Sequence, residues 1–389
     1  MKHCSAILLL MLFLACYTFF ACAPGESMGG DFDKGESNME ENAFFNGYLA
    51  ARMGDLVYFT EEKPLNGGRR IYVYDSASGE VFPLCAKPDC THDSGECRAA
   101  YPSAFGDLFM MPYGDRLYFL GDVERKEDKT YLRIYSQASD GSDRKIESKF
   151  KWELGSYVVS FVGIYDGIVY KLGSTIVIEN GEQYEEISLC SQPLGEDGEV
   201  RELFRERVQD PEFMGAMRAG KLWFAVYDGD GNCIMHLYSY DTETDEINTE
   251  FEGKAPGYAF RMAALEDRLV FHEGRTVFAY SFEEKAFKEM LRSDDDQVIR
   301  YGGVMFEWTG RFDFRCYAED GSLMHEGTLD EALFDGPPIK TYLGCINGKF
   351  CFLFECGGGD GENEGAHNYF VVYDSQTNTF SVPWDSDMK

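Results

Sequence analysis

The sequence predicts an all-β protein, a β-propeller of seven four-stranded blades, from two repeated features and its aromatic content. The first feature is a strand that ends on Tyr-Asp before a polar turn, as in 71–82, and it recurs about every 50 residues, a period typical of propeller blades. The second, upstream in each repeat, is a Gly, Asp or Asn turn followed by a short apolar strand. The chain of 389 residues is 15% aromatic, with 24 Tyr and 31 Phe, as expected when many short strands pack face to face.

Both repeated columns keep the same phase along the chain. The clear Tyr-Asp copies lie at Tyr74, Tyr240 and Tyr373, and weaker copies end on Tyr135, Cys190, Tyr280 and Tyr317. The turn column contains Gly54-Asp55, Gly114-Asp115, Asp166-Gly167, Gly220-Lys221, Glu266-Asp267, Gly302-Gly303 and Asn347-Gly348. The alternative is one or two large β-sandwiches, which have no reason to keep a long common period. The shared phase therefore favours the propeller.

The repeats divide residues 43–389 into seven blades of a single propeller domain. The expected segments are 43–100, 101–150, 151–205, 206–255, 256–292, 293–335 and 336–389. One blade cannot bury both faces of its own sheet, so neighbouring blades must supply the core. The first strand of each blade is expected to line the central channel, which suits the small residues Gly215, Ala216, Ala263, Ala264, Gly302 and Gly303.

The N-terminus has the pattern of a lipoprotein signal peptide in residues 1–22. Lys2 precedes an apolar run of signal-peptide length at 6–15. The Ala-Cys step at Cys22 resembles a bacterial lipobox, whose Cys becomes the acylated first residue, although Phe19 stands where Leu is preferred. Residues 23–42 are rich in Gly, Ser, Glu and Asp and are expected to form a flexible tether.

We therefore predict lipidation at Cys22 and an extracytoplasmic location, anchored to the outer face of the cell membrane. The alternatives are lipidation at Cys16, an ordinary cleaved signal peptide, and an uncleaved anchor. The formal net charge of −32 argues against a nucleic-acid partner, because a phosphate binder needs a basic face. We expect a monomer.

A Pro- and Gly-punctuated loop follows the last strand of blade 1 and carries three Cys and one His within thirteen residues: Cys85, Cys90, His92 and Cys97. Thiolates and imidazole are the ligands of tetrahedral structural zinc, so the loop is a candidate zinc site. Disulfides are the rival, because disulfides form outside the cytoplasm, and unpaired thiols are the third alternative. Outside the leader the chain has nine Cys, an odd number that cannot all pair, at positions 85, 90, 97, 190, 233, 316, 345, 351 and 356.

This chain resembles secreted β-propeller lipoproteins of anaerobic Gram-positive gut bacteria (Firmicutes). The shared features are the leader, the Gly-Asp-x-Leu-Tyr-Phe and Tyr-x-Tyr-Asp repeats, and the L-C-x-K-P-D-C-x-H-x(4)-C loop after an early blade. The resemblance covers nearly the whole chain and implies location and fold. It specifies no ligand.

Catalytic signatures are absent from the predicted propeller domain: residues 43–389 contain no Gly-x-Ser-x-Gly elbow, Walker loop or His-Glu-x-x-His motif. Arg218, Arg261 and Arg300 lie near the expected channel strands and would form an anion-binding mouth if they converged, the alternative being that they extend to solvent. The leading hypothesis is a non-catalytic propeller that binds a ligand or an envelope protein, with carbohydrate as one candidate ligand. The alternatives are a propeller enzyme that acts on polysaccharide, as glycoside hydrolase or lyase, and a structural scaffold in a cell-envelope assembly.

Overall fold

The computed structural model describes residues 49–61, 69–92, 94–101, 109–126, 129–152, 156–179, 182–195, 200–228, 233–294, 297–357 and 367–386. These residues form 28 strands and one short 3₁₀ helix, Glu331–Leu333. The strands make seven four-stranded antiparallel sheets, each from four consecutive strands. The architecture is a seven-bladed β-propeller, which confirms the predicted fold class. In the described part of the chain, no helix is both long and apolar enough to span a bilayer.

The strand bounds follow the predicted blade segments closely. Blade 1 contains β1 (Ala50–Met53), β2 (Leu56–Thr60), β3 (Ile71–Asp75) and β4 (Val81–Pro83). Blade 2 contains β5 (Met110–Tyr113), β6 (Arg116–Lys126), β7 (Lys129–Ala138) and β8 (Lys145–Trp152). Blade 3 contains β9 (Ser156–Tyr165), β10 (Ile168–Glu179), β11 (Glu182–Pro193) and β12 (Arg201–Val208). Blade 4 contains β13 (Glu212–Arg218), β14 (Lys221–Tyr227), β15 (Ile234–Asp241) and β16 (Glu246–Lys254).

The last three blades have the same organisation. Blade 5 contains β17 (Arg261–Ala264), β18 (Arg268–His272), β19 (Thr276–Ser281) and β20 (Ala286–Arg292). Blade 6 contains β21 (Ile299–Tyr301), β22 (Met305–Trp308), β23 (Asp313–Tyr317) and β24 (Leu323–Thr328). Blade 7 contains β25 (Ile339–Ile346), β26 (Lys349–Cys356), β27 (His367–Asp374) and β28 (Thr379–Asp385). Only β8 and β12 run past their predicted segments, by two and three residues.

The Tyr-Asp signal has a local physical cause at the turn after the third strand. Asp75 accepts hydrogen bonds from the backbone N–H groups of Ala77 (2.9 Å) and Ser78 (3.3 Å) through Oδ1. Asp241 and Asp374 make the same pair of bonds in blades 4 and 7. The carboxylate thus satisfies the turn backbone, an Asx turn, and these bonds hold the pKa of Asp75 below its usual value.

The Tyr column is correct in four blades and displaced by two residues in blades 2 and 3. Tyr74, Tyr240, Tyr280 and Tyr373 each pair with the second residue of the preceding strand, counted from the turn. Tyr317 pairs with Met305, the first residue of β22. In blades 2 and 3 the place opposite the second residue belongs to Gln137 and Gln192, which pair with Leu117 and Val169. The predicted members Tyr135 and Cys190 lie two residues earlier on the same face, since side chains alternate along a strand.

The first strands lie innermost, because they contact one another around the ring. β25, β1, β5, β9, β13 and β17 contact in series, and Tyr342 of β25 donates its hydroxyl to the Tyr301 carbonyl of β21 at 3.3 Å. Gly215 is needed at this crowded axis, because a Cβ there would lie 2.8 Å from Cγ of Phe161. Gly303 instead lies in the β21–β22 turn with φ +84° and open space around it, so its role is conformational.

The core lies between adjacent blades, and the ring closes without a shared strand. Blades 7 and 1 meet through stacked rings of Phe59 and Phe370, whose centroids are 4.4 Å apart, and Tyr72 packs on Trp384 at 4.8 Å. These residues belong to one buried cluster that joins blade 7 to blades 1 and 2. Closure therefore rests on apolar packing of neighbouring sheets, as the repeat architecture requires.

Candidate metal centre

The fourth strand of blade 1 is interrupted by the segment 85–98, which we call the Cys/His loop. The N–H of Leu84 donates to the carbonyl of Ile71 at 2.9 Å, and the N–H of Ile71 donates to the carbonyl of Ala99 at 2.7 Å. Arg70 and Ala100 then form an antiparallel bridge. Both ends of the loop therefore meet at a single residue of β3, so the loop is an excursion from the outer edge of the blade.

The four predicted ligands come together where the Cys/His loop leaves and rejoins blade 1, which we call the neck of the loop. The Sγ atoms of Cys85, Cys90 and Cys97 and a ring nitrogen of His92 all lie within 4.8 Å of one another. Cys90 Sγ is 3.5 Å from Cys97 Sγ, and His92 Nδ1 is 3.3 Å from the same sulfur. Four ligands around a tetrahedral zinc, with Zn–S near 2.3 Å, would be separated by about 3.8 Å. The geometry therefore matches a site that could hold a metal ion.

None of the nine cysteines in the described ranges forms a disulfide. The Cys90–Cys97 separation of 3.5 Å is far longer than an S–S bond of about 2.05 Å. Cys190 and Cys351 are buried in strands, at 9% and 0% exposure, and pack there as small apolar side chains.

Tight turns explain how a loop of this spacing folds back on itself. The N–H of Cys90 donates to the Lys87 carbonyl at 3.3 Å, and the N–H of Cys97 donates to the Ser94 carbonyl at 3.1 Å. Between these turns His92 adopts φ 58°, a left-handed conformation that His accepts more readily than most residues. The chain thus reverses twice between the first and last cysteine.

The thiols at the neck have perturbed ionisation. Burial raises the pKa of Cys85, but the Lys87 backbone N–H and the Cys97 and Cys90 thiols donate to its sulfur, and the net direction of the pKa is downward. Burial raises the pKa of Cys97 to about 11, although the Ala99 N–H donates to its sulfur at 3.3 Å. Backbone N–H bonds to two sulfurs stabilise thiolates, and thiolate is the form that binds a metal.

Blade 2 holds the end of the loop through a partly buried arginine. Arg144 donates from Nη1 to the Ala100 carbonyl at 2.6 Å and from Nη2 to the Arg98 carbonyl. Its Nε donates to Oε1 of Gln137 at 2.9 Å, and its guanidinium lies 5.1 Å from the ring centre of Phe119. Burial, with a contribution from Arg98, lowers the pKa of Arg144 to about 10, so the group remains charged at neutral pH.

Gln137 completes this attachment and is the residue that the sequence argument missed. Its side chain is fully buried, and Nε2 donates to the carbonyls of Gly141 (2.7 Å) and Arg98 (3.2 Å). The signal was present in the Tyr column, since Gln replaces Tyr at this place in blade 2. Because the sequence pattern places Tyr135 in the Tyr column, it does not identify Gln137 as the residue at this position.

Gly141 allows the close approach of the two blades. Its φ is +83°, and a Cβ would lie 2.7 Å from the carbonyl carbon of Leu84. No other residue fits, because both the conformation and the space require glycine.

A site with four protein ligands is closed. Structural zinc sites use four protein ligands, whereas catalytic zinc keeps a position open for water or substrate. The arrangement at the neck therefore suits a structural cation.

Cys22, the predicted lipidation site, lies outside the described residues.

Comparison with known proteins shows the fold alone. No protein-family model matches the chain, and no curated protein matches it. The chain is similar to a solved structure from a structural and mechanistic study of two prolyl endopeptidases and their inter-domain dynamics. The TM-score is 0.52 with 12% identity over 90% of this chain, and the match spans only 51% of that protein. The likeness supports a propeller and transfers no activity.

Proposed function

We propose that this chain is an extracytoplasmic, lipid-anchored β-propeller that binds a ligand or protein partner without catalysis, and that zinc at the neck fixes its Cys/His loop. The observation that carries the proposal is the set of four metal ligands at the point where the loop leaves and rejoins blade 1. The leader and Cys22 supply the location.

A cation at the neck would make the loop a preorganised surface. In its described parts, 85–92 and 94–98, the loop contains no strand, so ordering it costs conformational entropy. Coordination by Cys85, Cys90, His92 and Cys97 would close the loop from both ends. Between Cys85 and Cys90 the loop exposes Lys87 and Asp89 to solvent. Surfaces ordered before binding lose less entropy on association, which suits recognition.

The metal is tested by elemental analysis of the protein purified without chelator. We expect one zinc per chain, lost in Cys97→Ser and retained in the matched variant Cys233→Ser, whose thiol lies outside the cluster. A mass two units lower per bridged pair, with no bound metal, would instead establish disulfides at the neck.

Binding is separated from catalysis by a glycan array combined with reducing-sugar release from plant and host polysaccharides. We expect retention of a ligand without turnover, and turnover would reject the binding proposal in favour of a polysaccharide enzyme. Recovery of one stoichiometric partner from envelope extracts would favour the scaffold.

The anchor is tested by expressing the full chain in a Gram-positive host. We expect partition into the detergent phase and an acyl-dependent mass increase, both abolished in Cys22→Ala and unchanged in Cys16→Ala. The opposite pattern would move the lipidation site to Cys16.

A further inference from the structure

Three polar residues from blades 5 and 6 meet at one end of the innermost strands. We call this the connector end, because there the fourth strand of one blade leads to the first strand of the next. Arg261 and His272 are direct partners in the β17–β18 pair. The N–H of Glu273 donates to the Ile299 carbonyl, and the N–H of Ile299 donates to the Gly274 carbonyl, both at 2.9 Å. This bridge sets Arg300, the next residue, beside the same pair.

Two polar nitrogens at this place lack a hydrogen-bond partner among the described residues. They are Nδ1 of His272, whose side chain is 3% exposed, and Nε of Arg300. Arg300 donates from Nη1 to the backbone carbonyl of Val298, two residues earlier, at 3.1 Å. Buried polar groups almost always find a partner. Nε of Arg300 can only donate and therefore calls for an acceptor, and Nδ1 of the neutral His272 donates to the same acceptor in the tautomer that carries its proton there.

Positive charge exceeds negative charge at the same point. Arg261 lies 3.6 Å from Glu273, measured from Nε to Oε2, and Glu273 is also the carboxylate that acts on Arg300. One carboxylate therefore faces two guanidinium groups. His272 adds no charge at neutral pH, because burial, together with Arg261 and Arg300, lowers its pKa to about 3.

The excess continues into blade 7. Lys340 acts electrostatically on Arg300, and the Arg300 guanidinium lies 5.8 Å from the ring centre of Tyr342. The whole chain carries a formal charge of −32. Cations concentrated at the axis of so acidic a protein create a local field that attracts anions.

Arg218 does not belong to this group. It pairs with Lys221 beside the β13–β14 turn, at the opposite end of the inner strands from Arg261. The convergence considered from sequence is therefore correct for Arg261 and Arg300 and wrong for Arg218.

We infer that the connector end of blades 5 and 6 binds a small oxyanion, a carboxylate or a phosphate, between Arg261, His272 and Arg300. Guanidinium groups recognise both anions through paired N–H donors. Arg261 has a side chain that is 32% exposed and Arg300 is partly exposed, so the site is open to solvent. This inference rests on the proposed function, because it names the ligand class of a binding propeller.

The inference is tested by calorimetric titration of the full chain with sodium phosphate, sodium galacturonate and, as the uncharged analogue, galactose. We expect one of the two anions to bind at one site per chain, and galactose not to bind. Preference for phosphate or for galacturonate identifies the source of the oxyanion.

Arginine variants localise the site. We expect Arg300→Gln and Arg261→Gln each to weaken binding at least tenfold and Arg218→Gln to leave it unchanged. If Arg300→Gln does not fold, the partly exposed Arg261 carries the test by itself.

The inference would be overturned by no anion binding up to 50 mM by the folded protein, by equal binding of galactose, or by binding that survives both variants. An ordered water alone between the three side chains in a crystal grown with phosphate would do the same. Retention of another ligand in the glycan array would then leave the proposed function standing without this site.

Discussion

Two neighbouring junctions of the ring are built on different principles. Between blades 7 and 1, Phe370 packs on Phe59 and Tyr74 with ring centres 4.4 and 5.0 Å away. Between blades 1 and 2, the partly buried Arg144 and the buried Gln137 bond to the backbone at the end of the Cys/His loop. The first junction is stabilised by burial and close packing of aromatic rings. The second is stabilised by hydrogen bonds, which require donors and acceptors in specific positions.

The junction between blades 1 and 2 is therefore a place where the protein departs from the apolar packing that its repeats otherwise use. Apolar packing of blade on blade is the general solution for a ring whose sheets are not stable alone. A partly buried arginine that has no carboxylate partner among the described residues is costly unless its donors are used. Such a group persists where it positions something else, and here it positions the end of the Cys/His loop.

The largest effect is expected at the apolar junction. Phe370→Ala removes a fully buried ring and should lower the free energy of unfolding by about 3 to 5 kcal/mol, measured by urea unfolding. The matched control is Phe82→Ala in β4, where the ring is 43% exposed, and it should change the same quantity by less than about 1 kcal/mol. Equal effects would show that ring closure does not depend on this packing.

The polar junction should be nearly as sensitive. Arg144→Met leaves the Ala100 carbonyl without its donor and removes one of the two side-chain donors to the Arg98 carbonyl, which should cost roughly 2 to 4 kcal/mol of unfolding free energy. Arg207→Met is the control: its exposed side chain pairs with Glu186 and Glu179 at the surface, so a loss within about 1 kcal/mol is expected. If both variants lose the same amount, Arg144 does not act as a specific attachment.

A third junction, between blades 5 and 6, extends the comparison to pH. The folded protein holds the pKa of His272 at about 3, chiefly by burial, below the unfolded value of about 6.5. Above pH 6.5 neither state binds the proton and His272 has no effect. As the pH falls below 6.5, His272 binds a proton in the unfolded chain but not in the folded protein. The free energy of unfolding therefore falls by about 1.4 kcal/mol per pH unit.

The measurement is urea unfolding at constant ionic strength from pH 7 to pH 4, for the wild type and His272→Leu. The variant should lose less stability over this range than the wild type, and the two curves should separate only below about pH 6.5. Parallel curves would mean that His272 gains its proton in the folded state, with Glu273 rather than the two arginines controlling it.

The smallest global effect belongs to the loop itself. Cys97→Ser removes one proposed ligand, and because both loop ends remain paired with Ile71, we expect a global change within about 1 kcal/mol. Amide hydrogen exchange at Cys90 and in the neighbouring turns should nevertheless become much faster. Chelation of the wild type should reproduce the change, and Cys233→Ser should not. Unchanged exchange after both treatments would contradict a metal clamp.

Much of the fold can be predicted from the sequence because each repeat contains a turn whose hydrogen bonds form between residues that are close in sequence. The Asp75 side chain closes the turn through its neighbours' N–H groups, so the motif is visible in a few consecutive residues. Gln137 shows the limit of such motifs. Its place depends on which residue pairs with Leu117 across the sheet, and a shift of two residues preserves the alternation that sequence reasoning uses.

The candidate metal site was predicted as a set of residues but not as a structure. Cys85, Cys90, His92 and Cys97 are close in sequence, so their ligand chemistry could be inferred directly. Their attachment to blade 2 could not, because Arg144 lies 46 residues from Arg98, the backbone group it holds. Nothing local distinguishes that arginine from those on the surface.

The sequence by itself determined the number of blades, the turns and the candidate ligand set, because periodic patterning and turn chemistry act over neighbouring residues. Only the tertiary structure decided how the ring closes, which arginines share one end of the axis and which buried groups support the loop. Those outcomes depend on strand register and on contacts between blades, where residues far apart in the chain compete for the same space and the same hydrogen bonds.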